Sequence, residues 1–253
     1  MPYLTLRNNL LTPRHLKVVG DNYSVNFTGT TSYIDIGGDS NETYASTLSP
    51  SSDWGMAAWI KLPEGRSGND MIFSSGSVTG SGSYIRLEWR ITNTTDLLEL
   101  RHLAAGGTTT ITADDAISDD TWTLVTVSYN SSTGTVTQTV GSNTHSGSWA
   151  PSGNINGSRA VLGTLSQTIS SYELTGNIAS FAMFNDEITA GNRSSMLTKS
   201  DFRMSTLSHC IHWWRMGDGV GDANPSSGDI IVDQIGDIDG ELKSSTVVVG
   251  QVV

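Results

Sequence analysis

Cysteine is almost absent from this chain, which has one, Cys210, among 253 residues. A single thiol excludes an intramolecular disulfide, and with it a disulfide-stabilised secreted scaffold. Apolar runs of membrane-spanning length are also missing, and residues 1–17 lack the apolar core and small-residue cleavage site of a signal peptide. We therefore expect that the chain does not insert into a membrane. We also expect that it is synthesised in a host cytoplasm without a signal peptide.

Positive charge is scarce. Fourteen Lys and Arg residues oppose 25 Asp and Glu residues, which gives a formal net charge of -11 at pH 7. Because such a chain repels phosphate, and no basic aromatic segment offsets the repulsion, we expect no direct contact with nucleic acid. The first twenty residues differ, since they hold Arg7, Arg14 and Lys17 but no acid. A basic arm thus precedes an acidic body.

Good helix formers are few, whereas Gly, Ser, Thr and Asn are abundant, as expected for many short strands joined by tight turns. From Tyr23 onward, strand-like segments alternate with Gly-rich or Asn/Ser-rich breaks. In 84–90, Ile85, Leu87 and Trp89 share one face and charged residues share the other, the pattern of a half-buried antiparallel strand. The sequence predicts an all-β sandwich, with one short helix in 186–199.

Four segments stand out in chain order: SVNFTGTTSYIDIGG (24–38), DWGMAAWIKL (53–62), DDTWTLVTVSYN (119–130) and LTGNIASFAMFNDEITAGNRSSML (174–197). Their order resembles the laminin G-like and pentraxin-like branch of the concanavalin A-type jelly rolls. The resemblance implies a jelly-roll β-sandwich with one short helix over 22–204. An extended N-terminal arm, 1–21, precedes it. A Trp/acid-rich C-terminal extension, 205–253, is expected to pack on the sandwich or on a neighbour.

The extension also resembles a segment that follows laminin G-like modules in structural proteins of tailed phages, through Trp-Trp-Arg-Met-Gly-Asp-Gly and the later Asp-Gln and Asp-Gly pairs. This implies a non-enzymatic virion protein, a capsid decoration or tail or fibre subunit, that forms a homo-oligomer and contacts other virion subunits. Adjacent tryptophans in a strand face opposite sides, so one can enter the core and leave the other for a neighbour. The predicted assembly contacts are Tyr3, Leu4, Leu6, Arg7, Arg14, Lys17, Trp213 and Trp214.

The alternative function is a lectin-like module that binds host surface glycans, with or without calcium. Sugar binding uses an exposed aromatic ring beside polar groups, and Trp149 in SGSWAPSG is the predicted platform; a cap over a sheet edge is the other interpretation of this residue. No cofactor is required. Calcium is the metal that the acidic turns favour, through Asp218, Asp222, Asp237 and Asp239, although solvated turns explain the same residues.

A hydrolase is the third class considered. Glucanases on this jelly roll use a pair of carboxylates that flank the scissile bond, on one face of one strand. The nearest candidates are Asp35 and Asp39, which have no glutamate beside them and have Gly37 between them, whereas Glu88 is flanked by arginines. The sequence therefore predicts no enzymatic activity.

Overall fold

The computed structural model describes residues 23–29, 32–37, 47–78, 84–104, 107–151, 159–165, 172–197, 208–216, 230–243 and 248–251. In chain order the strands are β1 (Tyr23–Thr28), β2 (Tyr33–Gly37), β3 (Trp54–Lys61), β4 (Asp70–Val78), β5 (Tyr84–Ile91), β6 (Leu97–Ala104), β7 (Gly107–Ala116), β8 (Thr123–Asn130), β9 (Thr135–Val140), β10 (Asn143–Ser148), β11 (Ala160–Leu162), β12 (Thr175–Phe184), β13 (Cys210–Trp214), β14 (Ile230–Ile231), β15 (Gly240–Lys243) and β16 (Val248–Gln251). Helix α1 (Ala190–Met196) lies between β12 and β13.

The strands form two antiparallel sheets of eight strands each. In the first sheet the order is β10-β9-β8-β3-β12-β1-β16, and β13 pairs with the second half of β12. In the second sheet the order is β14-β15-β2-β11-β4-β5-β6-β7. In the described part of the chain, this architecture confirms the predicted all-β sandwich, and α1 lies within 186–199, where the sequence predicted a short helix.

Alternation along the strands places the core between the sheets. On β5, Leu87, Trp89 and Ile91 are fully buried and belong to the core, as the alternation in this segment predicts. The first sheet contributes inward side chains such as Phe181, whose ring stacks on Phe73 of the second sheet with centroids 5.8 Å apart. Burying large aromatic rings across the interface provides much of the apolar area that holds such sandwiches together.

The C-terminal strands complete both sheets, and one buried carboxylate ties them together. Asp233 accepts hydrogen bonds from His212 Nδ1, at 2.6 Å, and from the backbone amides of Trp213, Ile235 and Gly236. Burial alone would raise the pKa of Asp233, but these hydrogen bonds outweigh it and lower the pKa. The turn after β14 is thereby attached to β13.

Candidate functional site

A set of charged and aromatic side chains covers the outer face of the second sheet. Arg86, Glu88 and Arg90 point outward from β5, and in register with them β6 presents Leu103, Arg101 and Glu99. Together with residues of β2, the segment before β11 and the segment before β12, they form what we name the arginine face. Its members are Tyr33, Asp35, Arg86, Glu88, Arg90, Glu99, Arg101, Arg159 and Tyr172.

Glu88 lies at the centre of the arginine face and is fully buried. Its Oε2 accepts a hydrogen bond from Arg101 Nη1 at 3.1 Å and lies 3.7 Å from Arg90 Nη1, and its Oε1 forms an ion pair with Arg86 Nε. A buried carboxylate must be matched by opposite charge, because its desolvation is costly. Glu88 therefore orients three guanidinium groups around one point.

Glu99 holds two of these arginines from the other side. Its Oε1 accepts a hydrogen bond from Arg90 Nε at 2.8 Å and lies 2.6 Å from Arg90 Nη2 and 3.8 Å from Arg101 Nε. The side chains of Arg90 and Arg101 keep 11% and 21% of their surface exposed. Their guanidinium groups are fixed in direction and still reach solvent.

Arg159 fixes the opposite end of the face. Its Nη2 donates to Asp35 Oδ2 at 3.0 Å and to the hydroxyl of Tyr33 at 3.0 Å, and the guanidinium lies 5.1 Å from the centroid of the Tyr33 ring. Asp35, one candidate of the acid pair, is thus engaged in an ion pair with an arginine. Asp39, the other candidate, lies outside the described residues.

Tyr172 provides an exposed aromatic ring beside this network. It keeps 39% of its surface exposed, and the Arg90 guanidinium lies 5.5 Å from the centroid of its ring. Its φ of 59° is in the left-handed region, which is unfavourable for a residue other than glycine. Its carbonyl accepts a hydrogen bond from Met71 N at 3.1 Å, which holds the backbone in place. Strain of this kind is retained where a residue has to be presented in one direction.

Tyr172 was not among the residues that the sequence singled out. The only signal is an aromatic residue in a loop between two predicted strands, in SYELTG. Nothing in the local sequence indicates that this loop reaches Arg90 on β5.

Trp149 is not an exposed platform, which corrects the prediction from the sequence. It is 1% exposed and lies in the core, with its ring centroid 4.9 Å from that of Tyr129 and 5.8 Å from that of Trp54. Its backbone N–H donates to Gly134 O at 2.7 Å, one residue beyond the Ser148–Thr135 pair, so Trp149 continues the β9–β10 pairing and faces inward. Burying the whole indole removes its apolar surface from water and so stabilises the fold, and an exposed position would lack this stabilisation.

The two adjacent tryptophans face opposite sides of β13. Trp214 is fully buried in the core between the sheets, whereas Trp213 is 6% exposed and packs on the outer face of the first sheet with Trp59 and Phe184. Trp213 Nε1 also donates to Ser180 Oγ at 2.7 Å. Trp213 and Trp214 are therefore covered by their own chain, in contrast to the prediction that they contact a neighbouring subunit.

Only some of the remaining predicted site residues lie within the described ranges. Asp239 Oδ1 accepts a hydrogen bond from Asp233 N at 2.9 Å, and Asp237 is exposed. Within the described ranges, no group of three or more His, Cys, Asp or Glu side chains could hold a metal ion. Calcium binding stays a prediction. Outside the described residues lie Tyr3, Leu4, Leu6, Arg7, Arg14, Lys17, Asp218 and Asp222.

Comparison with known families places the chain. The model of the concanavalin A-like lectin/glucanases superfamily matches residues 28–192, which is more than half of the chain. The chain therefore belongs to this superfamily. No curated protein matches the chain in sequence.

Solved structures share the fold at low sequence identity. One is a protein from Bacteroides ovatus named for a proposed role in carbohydrate binding, with a TM-score of 0.62 and 14% identity over 91% of this chain and 60% of that one. Another is the CBM40 module of the Ruminococcus gnavus IT-sialidase bound to α2,3-sialyllactose, with a TM-score of 0.55 and 12% identity over 68% of this chain and 95% of that one.

A third solved structure is the heptameric SAP-like pentraxin of Limulus polyphemus, with a TM-score of 0.55 and 11% identity over 91% of this chain and 95% of that one. This chain thus spans 60% of the length of the Bacteroides ovatus protein and nearly all of the other two. At these identities the likeness shows the fold. Among the described helical residues, no helix is long and apolar enough to cross a membrane.

Proposed function

We propose that this protein binds carbohydrate through the arginine face. The observation that carries the proposal is the exposed Tyr172 ring, held in a strained backbone conformation against Arg90, at the margin of a buried network of arginines and carboxylates. The fold supports it, because two of the solved structures are named for sugar binding.

The chemistry of the face suits a sugar. The apolar side of a pyranose ring packs on an exposed aromatic ring, as other amphipathic groups do. Each sugar hydroxyl can both donate and accept a hydrogen bond, so a surface with N–H donors of Arg90 and Arg101 next to the carboxylate of Glu99 offers both partners. Since ion pairs already fix these side chains, little conformational entropy is lost when a ligand binds.

The charge of the face indicates which sugars to test first. Four arginines stand against the carboxylates of Glu88, Glu99 and Asp35, which leaves one positive charge in a chain whose formal net charge is -11. A slightly positive site in an acidic protein accepts neutral sugars and favours acidic ones. The CBM40 module was solved with sialyllactose, an acidic glycan. Sialylated and neutral glycans therefore belong in the same experiment.

A glycan array, followed by calorimetric titration with the strongest hits, tests the proposal. We expect saturable binding that Tyr172→Ala weakens by about 1–3 kcal/mol, the range for losing a stacking or charge-assisted contact. Leu197→Ala is the matched control, because Leu197 is 38% exposed but follows α1 on the outer side of the first sheet. Binding that is equally strong in wild type, Tyr172→Ala and Arg101→Ala would contradict the proposal.

The virion structural role stays a prediction, and the comparisons support the glycan-binding alternative rather than it. The arm that would make most of the assembly contacts lies outside the described residues. The two functions are compatible, since a fibre subunit can also bind a host glycan. Oligomerisation is supported by the heptameric pentraxin among the solved structures, and light scattering of the purified full chain measures it directly.

A further inference from the structure

A polar pocket lies at one end of the first sheet, on the side of the sandwich opposite the arginine face. Its volume is about 350 Å³. The cross-strand row Asn26, Asn177 and Lys61 lines it, on neighbouring strands β1, β12 and β3. Because Val25, Ile178 and Ile60 on the same strands belong to the core, the three polar side chains point outward. The remaining lining residues are Phe27, Thr28, Pro63, Asp120, Thr175 and Gly176.

The backbone beside the pocket is closely packed and fixed in position. Gly176 has a φ of 141°, and a Cβ there would lie 2.5 Å from the carbonyl oxygen of Lys61, so no larger residue fits without a shift. Asp120 occupies the left-handed region with a φ of 52°, and its N–H donates to Leu62 O at 2.7 Å. This turn brings an exposed carboxylate to the rim of the pocket.

Donors and acceptors are balanced in this pocket. Lys61 brings an ammonium group and Asp120 a carboxylate, and the ion pairs between described residues include neither of them. Asn177 Nδ2 donates to Ser24 Oγ at 3.1 Å, which leaves the amide oxygen of Asn177 as an acceptor. Asn26 adds both functions, and Thr175 adds a hydroxyl.

We infer that this pocket is a second carbohydrate site, which takes a single hydroxyl-rich sugar residue. The ammonium group of Lys61 disfavours a cation and the carboxylate of Asp120 disfavours an anion, whereas a hydroxyl satisfies both groups because it donates and accepts. The inference shares its ligand class with the proposed function but rests on different residues. Two sites on opposite sides of one module would let it bridge two glycans.

Amide NMR spectra of the full chain, titrated with the methyl glycosides of glucose, galactose, mannose and N-acetylglucosamine, test this inference. At least one sugar should shift the signals of Asn26, Asp120 and Gly176 saturably. Lys61→Met should weaken that affinity about tenfold or more, because a charged hydrogen-bond donor is lost. Tyr172→Ala should leave these shifts unchanged.

Two further variants keep the test decisive. Lys243→Met is the matched control, since Lys243 lies on β15 of the other sheet and pairs with Glu241. Asp120→Asn removes the charge but keeps a residue that tolerates the left-handed turn. It should therefore weaken sugar binding, and it provides the test if Lys61→Met unfolds the chain. Three results would overturn the inference. One is that none of the four sugars shifts the pocket signals, and another is that sodium acetate or calcium chloride alone shifts them. The third is an affinity of Lys61→Met equal to that of wild type. Failure of the arginine face would instead leave the pocket signals responsive.

Discussion

The outer faces of the two sheets arise from the same alternation of inward and outward side chains, but one face is apolar and covered whereas the other is charged and paired. Outward positions of the first sheet include Ala57, Trp59 and Phe184. Apolar side chains from beyond β12 cover them, namely Trp213 from the adjacent strand β13 of the same sheet, and Ile188 and Met196 from outside the sheet. Outward positions of the second sheet instead carry arginines and glutamates in ion pairs within β5 and between β5 and β6. An apolar face has to be covered to be stable, whereas a paired polar face can remain in contact with solvent and bind a ligand.

Removing the cover should have the largest effect. Trp213→Ala deletes a buried indole and its hydrogen bond to Ser180, and we expect it to lower the free energy of unfolding by about 3–5 kcal/mol. Urea denaturation followed by tryptophan fluorescence measures this change. A loss below about 1 kcal/mol would mean that Trp213 is not part of a stabilising cover.

Breaking the ion-pair network should cost a similar or slightly smaller amount. Glu88→Ala leaves three guanidinium groups without their shared carboxylate, and removing one partner of a buried pair typically costs about 3–5 kcal/mol. Glu241→Ala is the control in the same experiment. Its pair with Lys243 is 44% and 34% exposed, so its loss should cost about 0–1 kcal/mol. Equal values for the two variants would show that burial does not distinguish the arginine face from an ordinary surface.

The tie between β13 and the following turn should make the covered face sensitive to acid. The pKa of Asp233 is lowered from its ordinary value of 3.8, so its contribution to stability is present above that pH and is lost as pH falls through the lower folded value. The difference in urea midpoint between wild type and Asp233→Asn should therefore be largest near neutral pH and shrink below 3.8. A difference that grows toward acid would contradict the assignment.

The smallest effect on stability is expected at the exposed edge of the arginine face. Tyr172→Gly relieves a left-handed backbone, which favours the variant by about 1 kcal/mol, and part of this gain is offset by the greater freedom of glycine in the unfolded chain. The midpoint of thermal unfolding should thus be unchanged or slightly higher, whereas glycan binding is weakened as in Tyr172→Ala. A clear fall in stability would assign Tyr172 a structural role instead.

Much of the fold follows from local patterns. In any strand, successive side chains point to opposite faces. This period of two explains why Leu87 and Trp89 on β5 both point inward and why the adjacent Trp213 and Trp214 on β13 face opposite sides. Local pattern missed strand β10, Asn143–Ser148, because an exposed edge strand of small polar residues has no apolar alternation to detect. The short C-terminal strands β14, β15 and β16 were not predicted either.

The residues of the candidate site were harder to predict from the sequence than the strands were. Trp149 lies in a Gly/Ser-rich segment and has the surroundings of an exposed residue, yet it continues the β9–β10 pairing and points into the core. Tyr172 in another loop has no distinguishing composition, yet it lies over Arg90. Loop residues have no periodicity, so their burial depends on where neighbouring strands lie.

The sequence by itself determined most strands up to β12, their inward faces and the helix α1, because alternation and turn chemistry act over a few residues; the order of four segments that resemble known motifs indicated the superfamily. Only the tertiary structure decided which loop aromatic is buried and which is exposed, that Glu88 is shared by three arginines from two strands, and that Lys61 and Asp120 meet at one pocket. These relations depend on strand order and sheet packing, which bring together residues distant in the chain.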